Sequence, residues 1–398
     1  MAQPDESRTK PKVVDIHTHM YPPEYISILS SRTEIPLVRT FPSPSSPDPD
    51  PRLILLEAEL PALEKALQDP SAPIPGRPLT KHFTSLPQKM HFMSTHGIDI
   101  SVLSLANPWL DFLPASEAGA IAERINASFE EMCSSSSSKE QKLYFFATLP
   151  LTSPTETILS CIAHLSSSGS LPHCRGVILG TSGLGSGLDD PALLPIFHAL
   201  AAHNLPVFLH PHYGLPSAVY GPRAGEEYGH VLPLALGFPM ETTIALVRMY
   251  LAGVFDAVPG LRMILAHSGG TLPFLAGRIE SCVLHDERLV KEGKTAARRR
   301  SVWEVLRSQV YLDAVVYSEV GLKAAVDASG GGREGAERLM FGTDHPFFPP
   351  VGEEGDRDGE WESVRLNVEA VKRALGEQSE EAELVMGGNA MRVLRLFD

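Results

Sequence analysis

Two histidines stand one residue apart near the start of the chain, where the run Val-Val-Asp-Ile leads into His17-Thr18-His19. Side chains along a strand alternate between its two faces, so the imidazoles of His17 and His19 are expected to point the same way. Such a pair can supply two ligands to a metal ion, because neutral imidazole is a common zinc ligand. The pair can also simply end a strand, and these residues alone leave both interpretations open.

Three further residues that can bind a metal ion close short apolar runs later in the chain. His210 ends PVFLH, His267 ends MILAH and Asp344 ends LMFGTD. A single histidine at a strand end is usually structural, whereas histidines and a carboxylate at the ends of several strands are hard to explain by packing. We therefore expect these side chains to meet at one site.

Eight apolar or β-branched runs alternate with stretches of helical spacing. The runs are residues 13–19, 100–106, 143–149, 174–180, 206–210, 262–267, 310–316 and 339–344, and the helical stretches include 116–133, 191–202, 240–255 and 361–375. Strands that alternate with helices form right-handed βαβ units and a parallel sheet, and eight such units close into a barrel. The predicted fold is α/β, a (β/α)8 TIM barrel, with residues 1–398 as a single domain.

Residues 21–90 interrupt this alternation directly after the first strand. They are rich in proline, contain one helical stretch at 53–67 and show no run that alternates like a core strand. We interpret them as an insertion within the barrel that covers the site as a lid.

The carboxyl ends of all barrel strands meet at one face, where such enzymes place their sites. There His17, His19, His210 and Asp344 are expected to hold one divalent ion, Zn2+ in the first place and Mn2+ as the alternative. The fourth strand ends Val-Ile-Leu-Gly-Thr and has no lysine or carboxylate that could bridge two ions. A single ion with a position left open for substrate or water is therefore predicted.

Two residues near these ligands have open roles. His267 is either a fifth ligand or, as we prefer, an acid-base group and substrate contact beside the ion. Asp15 shares the strand face of His17, and it is either the hydrogen-bond partner of a ligand histidine or a buried structural carboxylate.

The composition excludes several other classes of protein. The 398 residues are 43% hydrophobic and 21% charged, as in ordinary globular proteins. A formal net charge of -14 argues against nucleic acid and anionic membranes as partners, because both need a basic surface. The four cysteines form no C-x-x-C pair, and no apolar run approaches the length of a membrane span. We expect a cytoplasmic protein that acts on a small molecule.

Long segments along the whole chain resemble the amidohydrolase superfamily, specifically its decarboxylating branch with one metal ion, which contains the aminocarboxymuconate semialdehyde and γ-resorcylate decarboxylases. The segments include DIHTHMYPP, PGRPLTKHF, SLANPWLDF, FLHPHYGLP, LAHSGGTLPFLAGRIESC and FGTDHPFFPP. They are most similar to the fungal uracil-5-carboxylate (isoorotate) decarboxylases. The chain departs from the family pattern at residues 134–138, 330–332 and 353–360, which read as loops.

The resemblance implies a set of site residues and a reaction. It implies metal binding by His17, His19, His210 and Asp344, and substrate contacts from Arg77, Asn107, Phe238, His267 and Phe347. The implied reaction is the metal-dependent, non-oxidative decarboxylation of 5-carboxyuracil to uracil and CO2 in pyrimidine (thymine) salvage. It also suggests a homodimer, with the apolar stretch 240–255 as one contact.

A flat ring could lie between Phe238 and Phe347, while Arg77 could pair a carboxylate or carbonyl oxygen and Asn107 could both donate to and accept from a ring edge. Without the resemblance, the two phenylalanines would be read as core residues and Arg77 as a surface residue.

A proton must reach the ring carbon before CO2 leaves, since direct loss would create an unstabilised carbanion. Our hypothesis is that Asp344 passes this proton and His267 assists. A metal lowers the proton affinity of a bound carboxylate, so Asp344 must gain the proton as substrate arrives, or His267 supplies it.

Three other functions stay open at this point: decarboxylation of a hydroxybenzoate such as γ-resorcylate, hydrolysis of an amide or lactone at a single metal ion, and metal binding without catalysis.

Overall fold

The computed structural model describes residues 11–42, 49–136, 141–167, 169–294, 299–352 and 358–396 of the protein. Parts of the predicted insertion and of the predicted loops at 134–138 and 353–360 lie outside these residues.

Eleven strands are found in the described ranges, and eight of them form one parallel sheet. The strands are β1 Val14–His19, β2 Leu37–Phe41, β3 Asp50–Ile54, β4 Arg77–Pro78, β5 Ile100–Ser104, β6 Lys142–Thr148, β7 Cys174–Gly180, β8 Val207–His210, β9 Met263–Leu265, β10 Val310–Asp313 and β11 Leu339–Met340. The large sheet runs in the order β1-β5-β6-β7-β8-β9-β10-β11. This order follows the chain, as expected when each strand is joined to the next by a helical crossover.

The last strand returns to the first and closes the barrel. Main-chain hydrogen bonds join Ile16 N to Phe341 O at 3.1 Å and Asp344 N to His17 O at 2.8 Å, and a parallel bridge pairs Thr18 with His345. The prediction of a (β/α)8 TIM barrel is confirmed, and all eight predicted core strands are present. Several end earlier than predicted, because the chain turns away from the ladder where the site residues begin.

Helices separate the barrel strands and cover the outside of the sheet. The α-helices are Pro23–Ser31, Leu60–Gln68, Lys81–Thr84, Leu86–Thr95, Ala115–Ser136, Thr155–Leu165, Leu194–Ala202, Ala224–Glu227, Phe238–Ala252, Val254–Ala257, Leu272–His285, Glu287–Lys291, Val302–Ser308, Glu319–Ala328, Gly332–Ala336, Glu362–Leu375, Glu380–Glu383 and Asn389–Val393. Shorter 3-10 segments lie at Glu57–Glu59, Pro191–Leu193, Ser217–Tyr220 and Ala266–Gly269, and π-helical turns at Pro233–Gly237 and Leu384–Gly388.

The insertion differs from its prediction. Strands β2, β3 and β4 form a small antiparallel sheet, in which Leu53 pairs with both Val38 and Arg77. The stretch 53–67 is therefore not one helix, because Leu53 and Ile54 belong to β3 and the α-helix begins at Leu60. The alternation in these strands is weak because both faces bury residues. Leu37, Phe41 and Ile54 pack with Leu63 and Ala66 in a small cluster, whereas Val38 and Leu53 belong to the main core. The interpretation of 21–90 as a lid stays a prediction.

No helix in the described part of the chain is long and apolar enough to cross a bilayer.

Candidate metal centre and active site

Four predicted ligands meet at the carboxyl end of the barrel. His17 and His19 come from β1, His210 ends β8, and Asp344 follows β11. One ligand atom from each lies within 4.8 Å of the others, and all four residues are buried. The two β1 histidines point the same way, as the alternation of side chains along a strand requires.

Each histidine of this cluster is held by its Nδ1 atom. His17 Nδ1 lies 2.6 Å from a carboxylate oxygen of Asp313, His19 Nδ1 lies 2.9 Å from Ser104 Oγ, and His210 Nδ1 lies 2.8 Å from the Pro211 carbonyl oxygen. Asp313 and the Pro211 carbonyl can only accept, and Ser104 Oγ already donates to the Thr18 carbonyl oxygen. Every Nδ1 therefore carries the hydrogen, and each Nε2 presents a lone pair.

The free atoms of the cluster fit a divalent cation. The Nε2 atoms of His17 and His19 and the Oδ1 atom of Asp344 are buried without a hydrogen-bond partner among the described residues. His17 Nε2 lies 3.2 Å and His19 Nε2 lies 3.7 Å from Asp344 Oδ1. Buried acceptors that face one another are costly unless a cation lies between them, and three imidazoles with one carboxylate suit zinc or a similar ion.

The electrostatics of the cluster favour a positive charge at its centre. Burial by itself lowers the pKa of His17, but the carboxylates of Asp344 and Asp313 outweigh this effect and raise it to about 10. Burial lowers the pKa of His19 to about 4, and that of His210 well below its usual value. Although burial opposes it, the neighbouring histidines hold the pKa of Asp344 well below the ordinary range of a carboxyl. Asp344 is therefore an anion, and a divalent cation bound at the cluster would take the place of the proton that the raised pKa gives to His17 Nε2.

His267 lies beside the four ligands, although not within a strand as predicted. Strand β9 ends at Leu265, and His267 follows in the turn Ala266–Gly269, with its Nε2 atom 3.4 Å from Asp344 Oδ2. Its side chain is 16% exposed, whereas those of His17 and His19 are fully buried. His267 is therefore placed where it can face both the Asp344 carboxylate and an incoming ligand.

Asp15 takes the structural one of its two predicted roles. Its carboxylate accepts hydrogen bonds from Thr343 N at 3.0 Å and Thr343 Oγ1 at 2.8 Å, and it lies 3.6 Å from the ammonium of the fully buried Lys89. It accepts the main-chain N–H of His17, not the ring N–H. The ring partner of His17 is Asp313 at the end of β10, which the sequence reasoning missed. Its signal was a strand-end carboxylate in VYLD, the same signal that identified Asp344.

Arg77 and Asn107 are brought together at the edge of the site, although they are far apart in sequence. Arg77, in β4 of the insertion, donates to Asn107 Oδ1 at 3.3 Å and to Tyr21 Oη at 3.2 Å. Asn107 Nδ2 donates to the His212 carbonyl oxygen at 2.7 Å. The insertion thus contributes a cation to the mouth of the barrel.

The two predicted phenylalanines are placed differently. The ring of Phe347 contacts metal-site residue His19, with ring centroids 5.6 Å apart, and the guanidinium carbon of Arg77 lies 5.0 Å from its centre. Phe347 also lines a cavity of about 180 Å³ with Arg77, His82, Phe83 and Trp361, among others. Phe238 lies at the start of its helix, where it packs beside Gly214. The predicted sandwich of a ring between Phe238 and Phe347 stays a prediction.

A second missed residue, Glu241, orders the loop that follows His210. Its carboxylate accepts the main-chain N–H groups of His212 at 3.1 Å and of Gly214 at 2.6 Å, and it is bonded by the Thr181 hydroxyl. It stands alone in a helical stretch, so its spacing offered no signal for this role.

Comparison with known proteins agrees with this architecture. Residues 103–396 match the family model described as amidohydrolase. The crystal structure of Metarhizium anisopliae IDCase in its apo form is 68% identical and covers 97% of this chain and 98% of its own, with a TM-score of 0.89. Gamma-resorcylate decarboxylase from Rhizobium radiobacter is 28% identical over 346 residues, 79% of this chain and 93% of that protein.

A more distant structure shares the fold at low identity. Dihydroxybenzoic acid decarboxylase from Polaromonas sp. JS666, crystallised with manganese and the inhibitor 2-nitroresorcinol, is 19% identical, with a TM-score of 0.63 over 97% of this chain and 98% of its own. Given the family match over most of the barrel and a 68% identical relative that spans nearly the whole chain, this protein belongs to the amidohydrolase family, among its decarboxylases.

Proposed function

We propose that the protein removes CO2 from 5-carboxyuracil (isoorotate) and releases uracil, a non-oxidative, metal-dependent reaction that would serve pyrimidine (thymine) salvage. The observation that carries the proposal is the 68% identity to IDCase, an isoorotate decarboxylase, over 97% of this chain. The buried cluster of three histidines and one aspartate supports it, since it offers one cation site beside an acid-base histidine.

The polar groups around the cluster suit a flat, anionic ring. In this proposal the guanidinium of Arg77 pairs with an oxygen of the substrate, and the amide of Asn107, already oriented by the His212 carbonyl, contacts the ring edge. Phe347, which contacts both His19 and Arg77, offers an aromatic surface to the ring. Phe238 is the second surface if the loop at Gly214 brings it to the ligand.

Proton delivery is assigned to Asp344 with the help of His267. The ring carbon must be protonated before the C–C bond to the carboxylate breaks, and Asp344 and His267 are the adjacent groups that can hold a proton. Asp344 is an anion in the resting cluster, so its proton must arrive through His267 or with the substrate. The divalent ion, Zn2+ or Mn2+, would be held by His17, His19, His210 and Asp344 and would supply Lewis-acid polarisation and a template for the substrate carboxylate.

The test is metal analysis of the purified protein joined to a product assay on 5-carboxyuracil. We expect close to one divalent ion per chain, with uracil and CO2 formed in equal amounts. In D2O the uracil should carry one deuterium at the carbon that lost the carboxylate. His210→Ala, which removes a ligand but no proposed proton donor, serves as the metal-poor control.

Side-by-side substrates separate this function from its alternatives. The similarity to gamma-resorcylate decarboxylase makes 2,6-dihydroxybenzoate the second substrate to test. Faster turnover of 2,6-dihydroxybenzoate than of 5-carboxyuracil would identify a hydroxybenzoate, and not a pyrimidine, as the substrate. Hydrolysis of an amide or lactone without CO2 release would replace decarboxylation by hydrolysis, and metal binding without any turnover would leave only the non-catalytic alternative.

A homodimer belongs to the same proposal. The helix Phe238–Ala252 is its suggested contact, because Ile244 and Leu251 on it are 43% and 37% exposed. Sedimentation of the wild type and of Ile244→Glu tests this contact, and a monomeric wild type would contradict it. From the net charge we expect a small-molecule substrate and no nucleic acid or membrane partner, and from the unpaired cysteine pattern we expect a cytoplasmic protein.

A further inference from the structure

Asp313 is a fully buried carboxylate with four hydrogen-bond donors around it. Its Oδ2 atom accepts from His17 Nδ1 at 2.6 Å and from the main-chain N–H of His267 at 3.0 Å. Its Oδ1 atom accepts from the main-chain N–H groups of Ser268 at 2.8 Å and Val315 at 3.0 Å. One side chain therefore joins the metal cluster to the turn that carries His267.

That turn needs to be held by its surroundings. His267 and Ser268 have φ angles of 52° and 54°, in the left-handed region that residues other than glycine rarely adopt. Such conformations persist only where neighbouring groups fix them. Both residues donate their main-chain N–H to Asp313, and Ser268 Oγ also donates to the Asp313 carbonyl oxygen at 2.8 Å. Asp313 is thus the main anchor of the turn.

We propose that Asp313 is a positioning residue that holds the ring of His17 and the imidazole of His267 in one rigid unit, so that metal binding and proton delivery share the same support. The expected effect on proton delivery rests on the proposed function, whereas the expected effect on metal binding does not. Asp313 touches neither the substrate nor the reacting atoms in this scheme, and it acts through the two histidines.

Asp313→Asn is the informative change, because it keeps the size of the side chain but leaves one accepting oxygen. If that oxygen faces His17, the NH2 group faces the N–H groups of Ser268 and Val315. If the amide is turned the other way, the NH2 group faces His17 Nδ1 and the His267 N–H. In either orientation the amide keeps the hydrogen bonds of one carboxylate oxygen and loses those of the other. The variant therefore weakens the hold on the turn in both cases, without losing every bond at once.

Two measurements test the arrangement without any substrate. Competition of the protein with a chromophoric chelator for Mn2+ and Zn2+ should show an affinity 10–100-fold weaker in Asp313→Asn when its NH2 group faces His17 Nδ1, as for other partners of metal-bound histidines. Hydrogen exchange of peptides that cover residues 263–271 should be faster in the same variant. The matched control is Asp99→Asn, a carboxylate that accepts the main-chain N–H of Val13 at 2.8 Å where β5 begins, at the opposite end of the barrel. Its metal affinity and its exchange in 263–271 should equal those of the wild type.

A double-mutant cycle tests the link to His267. At saturating metal, Asp313→Asn should lower kcat on 5-carboxyuracil by about tenfold or more, but it should cost little further in a His267→Ala background, because both changes remove the same positioned imidazole. Full recovery of kcat at saturating metal, or additive losses in the cycle, would overturn the coupling. Unchanged metal affinity and unchanged exchange would overturn the positioning role itself.

A milder variant keeps the inference testable if Asp313→Asn does not fold. Ser268→Ala removes only the hydroxyl bond to the Asp313 carbonyl, so it should speed exchange in 263–271 and lower kcat while metal affinity stays at the wild-type value. Unchanged exchange and kcat in this variant would contradict the proposed anchoring. If the wild type releases no CO2 from 5-carboxyuracil, the proposed function is wrong. The metal affinity and hydrogen exchange of Asp313→Asn then still test the positioning role of Asp313.

Discussion

The indole of Trp109 covers Gly180 so closely that a Cβ atom at Gly180 would lie 2.7 Å from the Cζ3 atom of that ring and 2.9 Å from His212 Nδ1. Gly180 ends β7, the fourth barrel strand, where a ligand that bridges two ions would have to begin. Trp109 also lies edge-on to the metal-site residue His210, with ring centroids 6.0 Å apart. An aromatic ring therefore fills the space beside this strand end, in agreement with a donor set for one ion.

Gly180→Ala should destabilise the protein by about 1–3 kcal/mol, because the new methyl group overpacks a site closed by Trp109 and His212. Urea unfolding measures the change. The control is Gly277→Ala, whose Cβ would lie 3.6 Å from Trp303, an ordinary contact, within the helix Leu272–His285. Since alanine is a better helix former, that variant should gain up to about 1 kcal/mol. A Gly180→Ala protein as stable as the wild type would contradict the close packing of Trp109 and His212 on Gly180.

Removal of the metal should lower both activity and thermal stability. The cluster then keeps buried nitrogen and oxygen atoms without partners, and the stabilisation by a bound ion, about 2.7 kcal/mol at a free concentration 100 times the Kd, is lost. Dialysis against a chelator, followed by calorimetry with and without added Mn2+ or Zn2+, measures this effect. His210→Ala should show little response to the added ion. An equal response of this variant and the wild type would place the ion elsewhere.

Asp344→Asn should abolish most turnover while much of the metal stays bound. The amide keeps one oxygen that can face the ion, but the amide cannot donate the proton. Loss of a general acid typically lowers the rate by a factor on the order of 10²–10⁴. CO2 release and metal content are measured on the same preparation. Near-normal activity would contradict the assignment of Asp344 as the proton donor. If the variant loses the ion, its CO2 release is measured again at saturating metal, where low activity supports the assignment and near-normal activity contradicts it.

The barrel was predictable because its signals are local. Short buried strands alternate with helices, which defines the sheet order. Four of the predicted strands end in a histidine or an aspartate, which defines the face where His17, His210 and Asp344 meet. The alternation of side chains between the two faces of β1 was enough to place His17 and His19 on the same face. These inferences need only the period of a strand and the common direction of parallel strands.

The residues that were missed act over long separations in sequence. Asp313 bonds to His17 across 296 positions, and Glu241 bonds to the main chain of His212 across 29. The small sheet of the insertion was missed because its short strands bury residues on both faces, with Leu37 and Ile54 in a small cluster and Val38 and Leu53 in the main core, so they show no period of two. Periodicity reports which face of an element is buried, but it does not report which carboxylate meets which N–H group.

Asp111 and His212 form a last testable pair at the rim of the site. His212 Nε2 lies 3.1 Å from an Asp111 carboxylate oxygen, and the Asp111 side chain is 27% exposed. Burial raises the pKa of Asp111 to about 7 and lowers that of His212 to about 4. Because the folded state favours the neutral acid, the unfolded chain releases the proton first as the pH rises from about 4 to 7. The wild type should therefore lose stability from this residue across that range.

Asp111→Asn removes the titrating group and keeps an oxygen that can accept from His212. Its stability relative to the wild type should rise between pH 5 and pH 8 by on the order of 1–2 kcal/mol, a modest value because the carboxylate is partly exposed. Urea unfolding at the two pH values measures this difference. Asp327→Asn, a change at an exposed position in the helix Glu319–Ala328, should show the same difference from the wild type at both pH values. A relative stability of Asp111→Asn that falls between pH 5 and pH 8 would show that contact with His212 stabilises the Asp111 anion more than burial disfavours it.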